Sequence, residues 1–159
     1  MVAEVDILEV TRQLGRPARG ILEVASRCVC GRPVVVKTTP RLDDGTPFPT
    51  LYYLTQSAAT AAASTLEATG FMVEMQQLLA EDDRVRANYL LAHKSYLAER
   101  DEIEVVPELK DFSAGGMPVR VKCLHALVAH SLAKGEGVYP IGDLALAALD
   151  WSIEECTCN

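Results

Sequence analysis

Apolar and polar residues change their spacing several times along the chain, and each change marks a new element. Residues 3–14, AEVDILEVTRQL, carry Val5, Ile7, Leu8 and Leu14 on one broad side, the spacing of an amphipathic helix. Gly15 stops that helix, and RPARG turns the chain. GILEVAS alternates apolar and polar residues, PVVVKTT is β-branched, and the tight turn VCGR joins them as a hairpin. PRLDDGTPFP is rich in turn residues and precedes a third strand, TLYYLT.

Helical spacing then takes over. Ser57 is placed to cap a helix through AATAAASTLEATG, broken near Gly70, and FMVEMQQLLAED follows as a second amphipathic segment. In RVRANYLLAHKSYLAERDEIE, Val85, Tyr89, Ala92 and Tyr96 recur at intervals of 4, 3 and 4 residues and form one stripe. PELKDFSAGGM is a loop. Pro118 suits the first turn of a helix covering VRVKCLHALVAHSLAK, which Gly135 ends. IGDLALAALDW is a last short helix, and SIEECTCN is a short, polar tail, expected to be flexible over residues 152–159. The expected fold is α+β: an antiparallel sheet of about three strands within residues 20–55, packed with four to six helices.

Composition fits one domain over residues 1–159, with 49% hydrophobic residues to build its core. No run approaches the roughly 20 apolar residues of a membrane span. MVAEVDILEV lacks the basic and apolar regions of a signal peptide, so a cytoplasmic protein is expected. In that compartment five cysteines are free thiols, metal ligands or a reactive thiol rather than disulfides.

Charge is unevenly spread. The net value is −7, yet Arg12, Arg16, Arg19, Arg27, Arg32, Lys37 and Arg41 face only Glu23 within their own segment. That segment is about +6 and the remainder about −13. It either faces an anion or pairs with the acidic helices of its own fold. SAGGMPVRVK offers an anion a glycine loop before a helix start, with Gly115 and Gly116 allowing close approach and Arg120 and Lys122 adding charge. Lys37 and Arg41, beside Thr38, would join them if the sheet end faces that helix. The same glycines equally suit a plain connection, and the spacing of a P-loop is absent. Of Tyr52 and Tyr53, which point to opposite sheet faces, one is free to stack on a base.

Candidate metal chemistry gathers around cysteine and histidine. On a wheel of the helix from Pro118, Cys123 and His130 fall about 20° apart on one edge of the apolar face, and His125 on the other. Cys28 and Cys30 at the hairpin tip, with Cys123 and His130 (or His125), make a Cys₃His set for zinc or an iron-containing centre. Cys156 and Cys158 offer a Cys₄ variant. Both pairs are C-x-C, tighter than the usual C-x₂₋₄-C, and Cys123 alone also suits a buried small hydrophobe. A reactive Cys123 is a third reading, since an early helical position, Arg120 and Lys122 all favour a thiolate. The wheel, however, turns His125 away from it. His93 is given no role.

"TPRLDDGTPFPTLYYLT", "SAGGMPVRVKCLHALVAHSLAKGEGV" and "RQLGRPARGILEVASRC" resemble the Domain of Unknown Function 501 family, widespread in actinobacteria. The resemblance runs from about Val10 to about Leu149, leaving Cys156 and Cys158 outside. It implies no particular activity. Genes of that family commonly lie beside those of a septum-formation initiator protein and an exopolyphosphatase, which implies a partner in cell division or polyphosphate metabolism. Three functions follow as expectations. The first is an accessory protein binding a phosphate-rich anion, a nucleotide or polyphosphate, with a structural metal; nucleic acid ranks lower and a membrane is excluded. The second is a hydrolase or transferase on a phosphorylated substrate, with His125 or Asp43 as base. The third is an interaction module docking through the acidic helices of residues 67–111.

Overall fold

Helix α1 (Glu4–Leu14) ends where Gly15 takes a φ of 68° and donates its N–H to the Thr11 carbonyl at 3.0 Å. Glycine enters that left-handed conformation without a side-chain penalty, so the helix stops where the sequence places the stop. The computed structural model describes residues 1–159, and three strands follow α1: β1 (Ile21–Arg27), β2 (Pro33–Thr38) and β3 (Tyr52–Leu54). They form one antiparallel sheet in the order β1-β2-β3, with Val24 opposite Val36 and Val36 opposite Tyr53. Six helices complete the α+β fold expected from the pattern.

The central strand explains the layering. Val34, Val35 and Val36 are all buried, so both faces of β2 are covered. Val36 shares one side with Val10 of α1. Val35 joins the main core, built around α5 (Leu124–Lys134). Leu124, Leu127, Val128, Ala129 and His130 of α5 are fully buried. Each large apolar side chain among them stabilises the fold by about 1.5–3 kcal/mol. Helices α2 (Ser57–Glu67) and α6 (Pro140–Ala148) flank α5. At Gly142 of α6 a Cβ would collide with the Leu127 carbonyl and Ser131 Oγ, so α6 seats its backbone directly on α5.

Helices α3 (Phe71–Glu81) and α4 (Asp83–Ile103) pack as a pair. The predicted stripe on α4 is realised: Tyr89, Ala92 and Tyr96 are buried and Val85 partly so. Arg100 is buried as well and is satisfied by backbone, donating to the Pro49 carbonyl at 3.0 Å and the Leu109 carbonyl at 2.5 Å. The Tyr96 hydroxyl donates to Pro49 at 2.9 Å and accepts the Leu51 N–H at 2.5 Å. These bonds fix the loop before β3 onto α4.

Two expectations at helix starts are corrected. The cap of α2 is Gln56, whose side chain accepts the Ala59 N–H at 2.7 Å, and Ser57 is already helical. The second correction matters more: α5 begins at Leu124, not at Pro118. Residues 115–123 instead fold back on themselves. Arg120 N–H donates to the Gly116 carbonyl at 2.9 Å and Lys122 N–H to the Gly115 carbonyl at 2.7 Å. Both glycines have positive φ, and a Cβ on Gly116 would meet the Arg120 backbone. Once these groups bond to each other, the chain cannot offer them to a helix.

Candidate metal centre

The β1–β2 turn closes because Cys28 N–H donates to the Arg32 carbonyl at 2.9 Å and Gly31 N–H to the Cys28 carbonyl at 2.8 Å. Gly31 has a φ of 90°, which a side chain would strain. Cys28 is thereby buried against the core, and Cys30 is left exposed at the tip. The tail comes to the same place from the far end of the sequence. It has no helix or strand, but Arg32 donates to the Asn159 carbonyl at 2.5 Å. Gln56 Nε2 reaches Thr157 Oγ1 at 3.2 Å and Cys158 Sγ at 3.5 Å.

The sulfur atoms of Cys28, Cys30, Cys156 and Cys158 consequently all lie within 4.8 Å of one another. Four thiolates about 2.3 Å from one tetrahedral ion would sit about 3.8 Å apart, so this cluster could hold a metal ion. Each C-x-C pair needs to span only one edge of the tetrahedron, because the other two sulfurs come from a different segment. All five cysteines are free thiols.

The surroundings treat the thiols differently. The backbone N–H of Arg32 beside Cys30 is the main influence pulling that thiol down to about 7. Cys158 is pushed up to about 12, first by burial and then by its neighbouring thiols. Four sulfurs this close cannot all ionise without a cation among them, since like charges raise one another's pKa. Arg12, Arg27 and Arg32 lie on the same surface as Cys30, together with Asp6 and Glu9. Much of that charge is internal pairing: Arg27 binds Asp6 through two hydrogen bonds of 2.8 and 2.7 Å, and Arg12 binds Glu9.

Cys123 and His130 do not join Cys28 and Cys30, which corrects the Cys₃His set. His130 is fully buried among the rings of Tyr52, Tyr96 and Tyr139, and neither of its nitrogens has a partner. Burial pulls its pKa down to about 3, so it is a neutral core residue. Cys123 is the N-cap of α5, with extended backbone, and a helical wheel therefore does not apply to it. It lies instead beside His125 and Glu67, the three ligand atoms within 4.8 Å of one another. No sequence signal marked Glu67, which sits 56 residues before Cys123 at the end of α2.

The expected anion site is also rearranged. Lys37 is held by Glu99 at 3.3 Å, and Arg41 by Glu104 at 3.4 Å and Glu108 at 3.1 Å. The space over Gly115 is filled by the Leu127 side chain of α5, and that over Gly116 by the Arg120 backbone. The first N–H of α5 already donates to a carboxylate, Glu67 Oε2, at 3.2 Å. Arg120 and Lys122 are exposed. Asp43 is exposed in the Leu42–Gly45 turn, away from these groups, while His93 is buried and bonds Ser113 Oγ at 2.7 Å.

No helix is long and apolar enough to cross a membrane. No curated protein and no solved structure matches the chain. A family model described as "Protein of unknown function (DUF501)" matches residues 24–147. That stretch contains Cys28, Cys30, Glu67, Cys123 and His125 and ends before Cys156 and Cys158. Because it spans well over half of the 159 residues and carries the motifs that resembled that family, the chain belongs to the DUF501 family.

Proposed function

We propose that this chain is a cytoplasmic accessory protein whose hairpin and tail are stapled together by one structural zinc ion. The carrying observation is the approach of four cysteine sulfurs, all within 4.8 Å, from two segments distant in sequence. Four thiolates complete a tetrahedral shell and leave no position for a substrate, which favours a structural role over a catalytic one. A single ion suits the spacing better than an iron–sulfur cluster, whose ligands must spread around several irons. The test is elemental mass spectrometry and visible absorption on untagged protein purified under reducing conditions. About one zinc per chain, colourless and lost in a Cys28→Ser/Cys156→Ser variant, is the expected result. Absence of any metal from protein with all five thiols titratable would sink the reading, and one coloured iron per chain would replace zinc by iron.

The accessory role includes binding a phosphate-rich anion, and one cavity supports this. A cavity of about 50 Å³ between α1 and the sheet, too small to enclose a nucleotide, has an apolar lining that includes Val10, Ile21, Val36 and Phe48; a ligand would lie across its exposed rim, where Arg16 stands beside Arg19 and its partner Asp44. Phe48 stacks on Tyr53 there, at 6.2 Å between centroids. Cations beside a stacked aromatic pair suit a nucleotide or another phosphorylated ring compound. Thermal shift with nucleoside diphosphates and with polyphosphate tests this at low salt. Stabilisation that disappears in an Arg16→Ala/Arg19→Ala variant is expected, and an equal shift in the variant would rule the cavity out.

A further inference from the structure

The fold builds a second chemical centre away from the thiol cluster. Cys123 caps α5 with extended backbone, φ −143° and ψ 109°, so its side chain stands at the helix entrance rather than on the helix wall. Its sulfur lies beside the Ala126 N–H, too loosely for a capping bond, in the positive field of the helix start. His125 Nδ1 is 2.8 Å from Glu67 Oε1, and its Nε2 is 3.1 Å from the Thr60 carbonyl oxygen. A carboxylate and a backbone carbonyl only accept hydrogen bonds. Glu67 thus places a hydrogen on Nδ1, and a hydrogen on Nε2 as well, making the imidazolium, is the form that the Thr60 carbonyl oxygen favours. Ser64 Oγ, at 3.1 Å from Nε2, can accept from a protonated Nε2 or donate to a bare one. Glu67 is itself fixed, because its other oxygen accepts the Leu124 N–H. The imidazole is thus held within 4.8 Å of a thiol that is only partly buried.

We propose that Cys123 is a reactive thiolate, a nucleophile toward hydroperoxides, with His125 as its cationic partner and Glu67 as the residue that positions the imidazole. The thiolate attacks one peroxide oxygen. A sulfur–oxygen bond forms as the oxygen–oxygen bond breaks, and sulfur gives two electrons to the peroxide. The departing oxygen takes a proton from His125 and leaves as water or an alcohol, and Cys123 becomes a sulfenic acid. The other four cysteines belong to the thiol cluster, so no resolving thiol stands beside Cys123. Charges around the sulfur agree in sign with this reading. Burial and the Glu67 carboxylate push the thiol up, but His125 and the Ala126 N–H outweigh them and leave it below the ordinary thiol value. Contact with the thiol, aided by Glu67 and opposed by burial, raises His125 in turn.

The test uses the full chain and peptide-resolved mass spectrometry, so that each cysteine is read separately. Iodoacetamide labelling of Cys123 is followed from pH 5.5 to 9, and dimedone trapping follows brief hydrogen peroxide treatment. A Cys123 labelling rate that is already near its plateau at pH 7 is expected, at least tenfold above an unfolded cysteine peptide at pH 6. A dimedone adduct at Cys123 completes the expectation. In His125→Gln the rate should climb with pH as an ordinary thiol does, and Glu67→Gln should fall between the two. A wild-type rate that rises tenfold per pH unit up to about 8.5, or an absent adduct, overturns the proposal. The wild-type profile decides even where a variant fails to fold. Because Cys123 lies outside the four-sulfur cluster, these outcomes are independent of whether zinc is found.

Discussion

The imidazole of His130 lies with its centroid 4.3 Å from the ring of Tyr96, tilted by 31°, and neither nitrogen has a hydrogen-bond partner. Such a ring can be held only in its neutral form. Its folded pKa of about 3 lies below the unfolded value of 6.5, because burial excludes the charged state. The unfolded chain therefore binds the proton first as pH falls. The contribution of this site is intact above about pH 6.5 and is lost progressively toward pH 3, amounting to about 2 kcal/mol at pH 5. His130→Phe keeps a ring and removes the titration. Urea melts at pH 7 and pH 5 should show a smaller loss in the variant than in wild type.

Glu99 anchors the other side of the same core. It accepts from Tyr52, and Lys134 and Lys37 approach it at 3.1 and 3.3 Å. Burial pushes its carboxyl up, but Tyr52, Lys134 and Lys37 outweigh that and hold it below the ordinary carboxylate range. Its contribution is present above the unfolded value and fades as pH falls through the lowered folded one. Glu99→Gln leaves two ammonium groups facing a neutral amide. A loss of about 2 kcal/mol at pH 7 is expected in denaturant melts, shrinking below pH 4.

Gly142 and Gly70 make a matched pair of glycine-to-alanine tests. At Gly142 the new methyl would strike Leu127 and Ser131 and push α6 off α5, a cost of about 1–3 kcal/mol. At Gly70 nothing lies within 4 Å, and its φ of −78° suits any residue. Gly70→Ala should be neutral or stabilising by about 0.4–1 kcal/mol. Thermal melts of the two variants should therefore move in opposite directions or differ by several degrees.

Metal dependence separates the two cysteine centres. Cys156→Ser/Cys158→Ser should lose bound zinc and about 2–3 kcal/mol of stability, close to the linkage expected at a hundredfold excess over Kd. Cys123→Ser should keep its zinc in full. Elemental analysis and thermal melts of the two proteins, run side by side, check both statements.

Much of this was readable in the chain. Alternation in GILEVAS and the β-branched run of PVVVKTT gave the hairpin, and the Tyr89–Ala92–Tyr96 spacing gave the buried face of α4. Two things were not readable. The first is where α5 starts: Pro118 looks like a first-turn proline, but Gly115 and Gly116 capture the N–H groups of Lys122 and Arg120 across the loop. Moving the start to Leu124 takes Cys123 off the wheel and turns it toward His125, the neighbour that periodicity had pointed away. The second is which segment completes the cysteine set. The C-x-C pair at the hairpin was visible, but its partner depends on Gln56 and Arg32 gripping the tail, contacts 101 to 127 residues apart in sequence. Local spacing carries no information about such pairings.

Joining Cys28 and Cys30 to Cys156 and Cys158 through the proposed ion would also change what a cut in the backbone does. With one ion bridging the four sulfurs, the polypeptide from Gly31 to Glu155 is a closed ring. A protease that nicks the exposed Asp43–Gly45 turn would open the ring without releasing a piece. In denaturant, where β2 no longer pairs with β3, the two halves would stay tethered through metal until a chelator set them free.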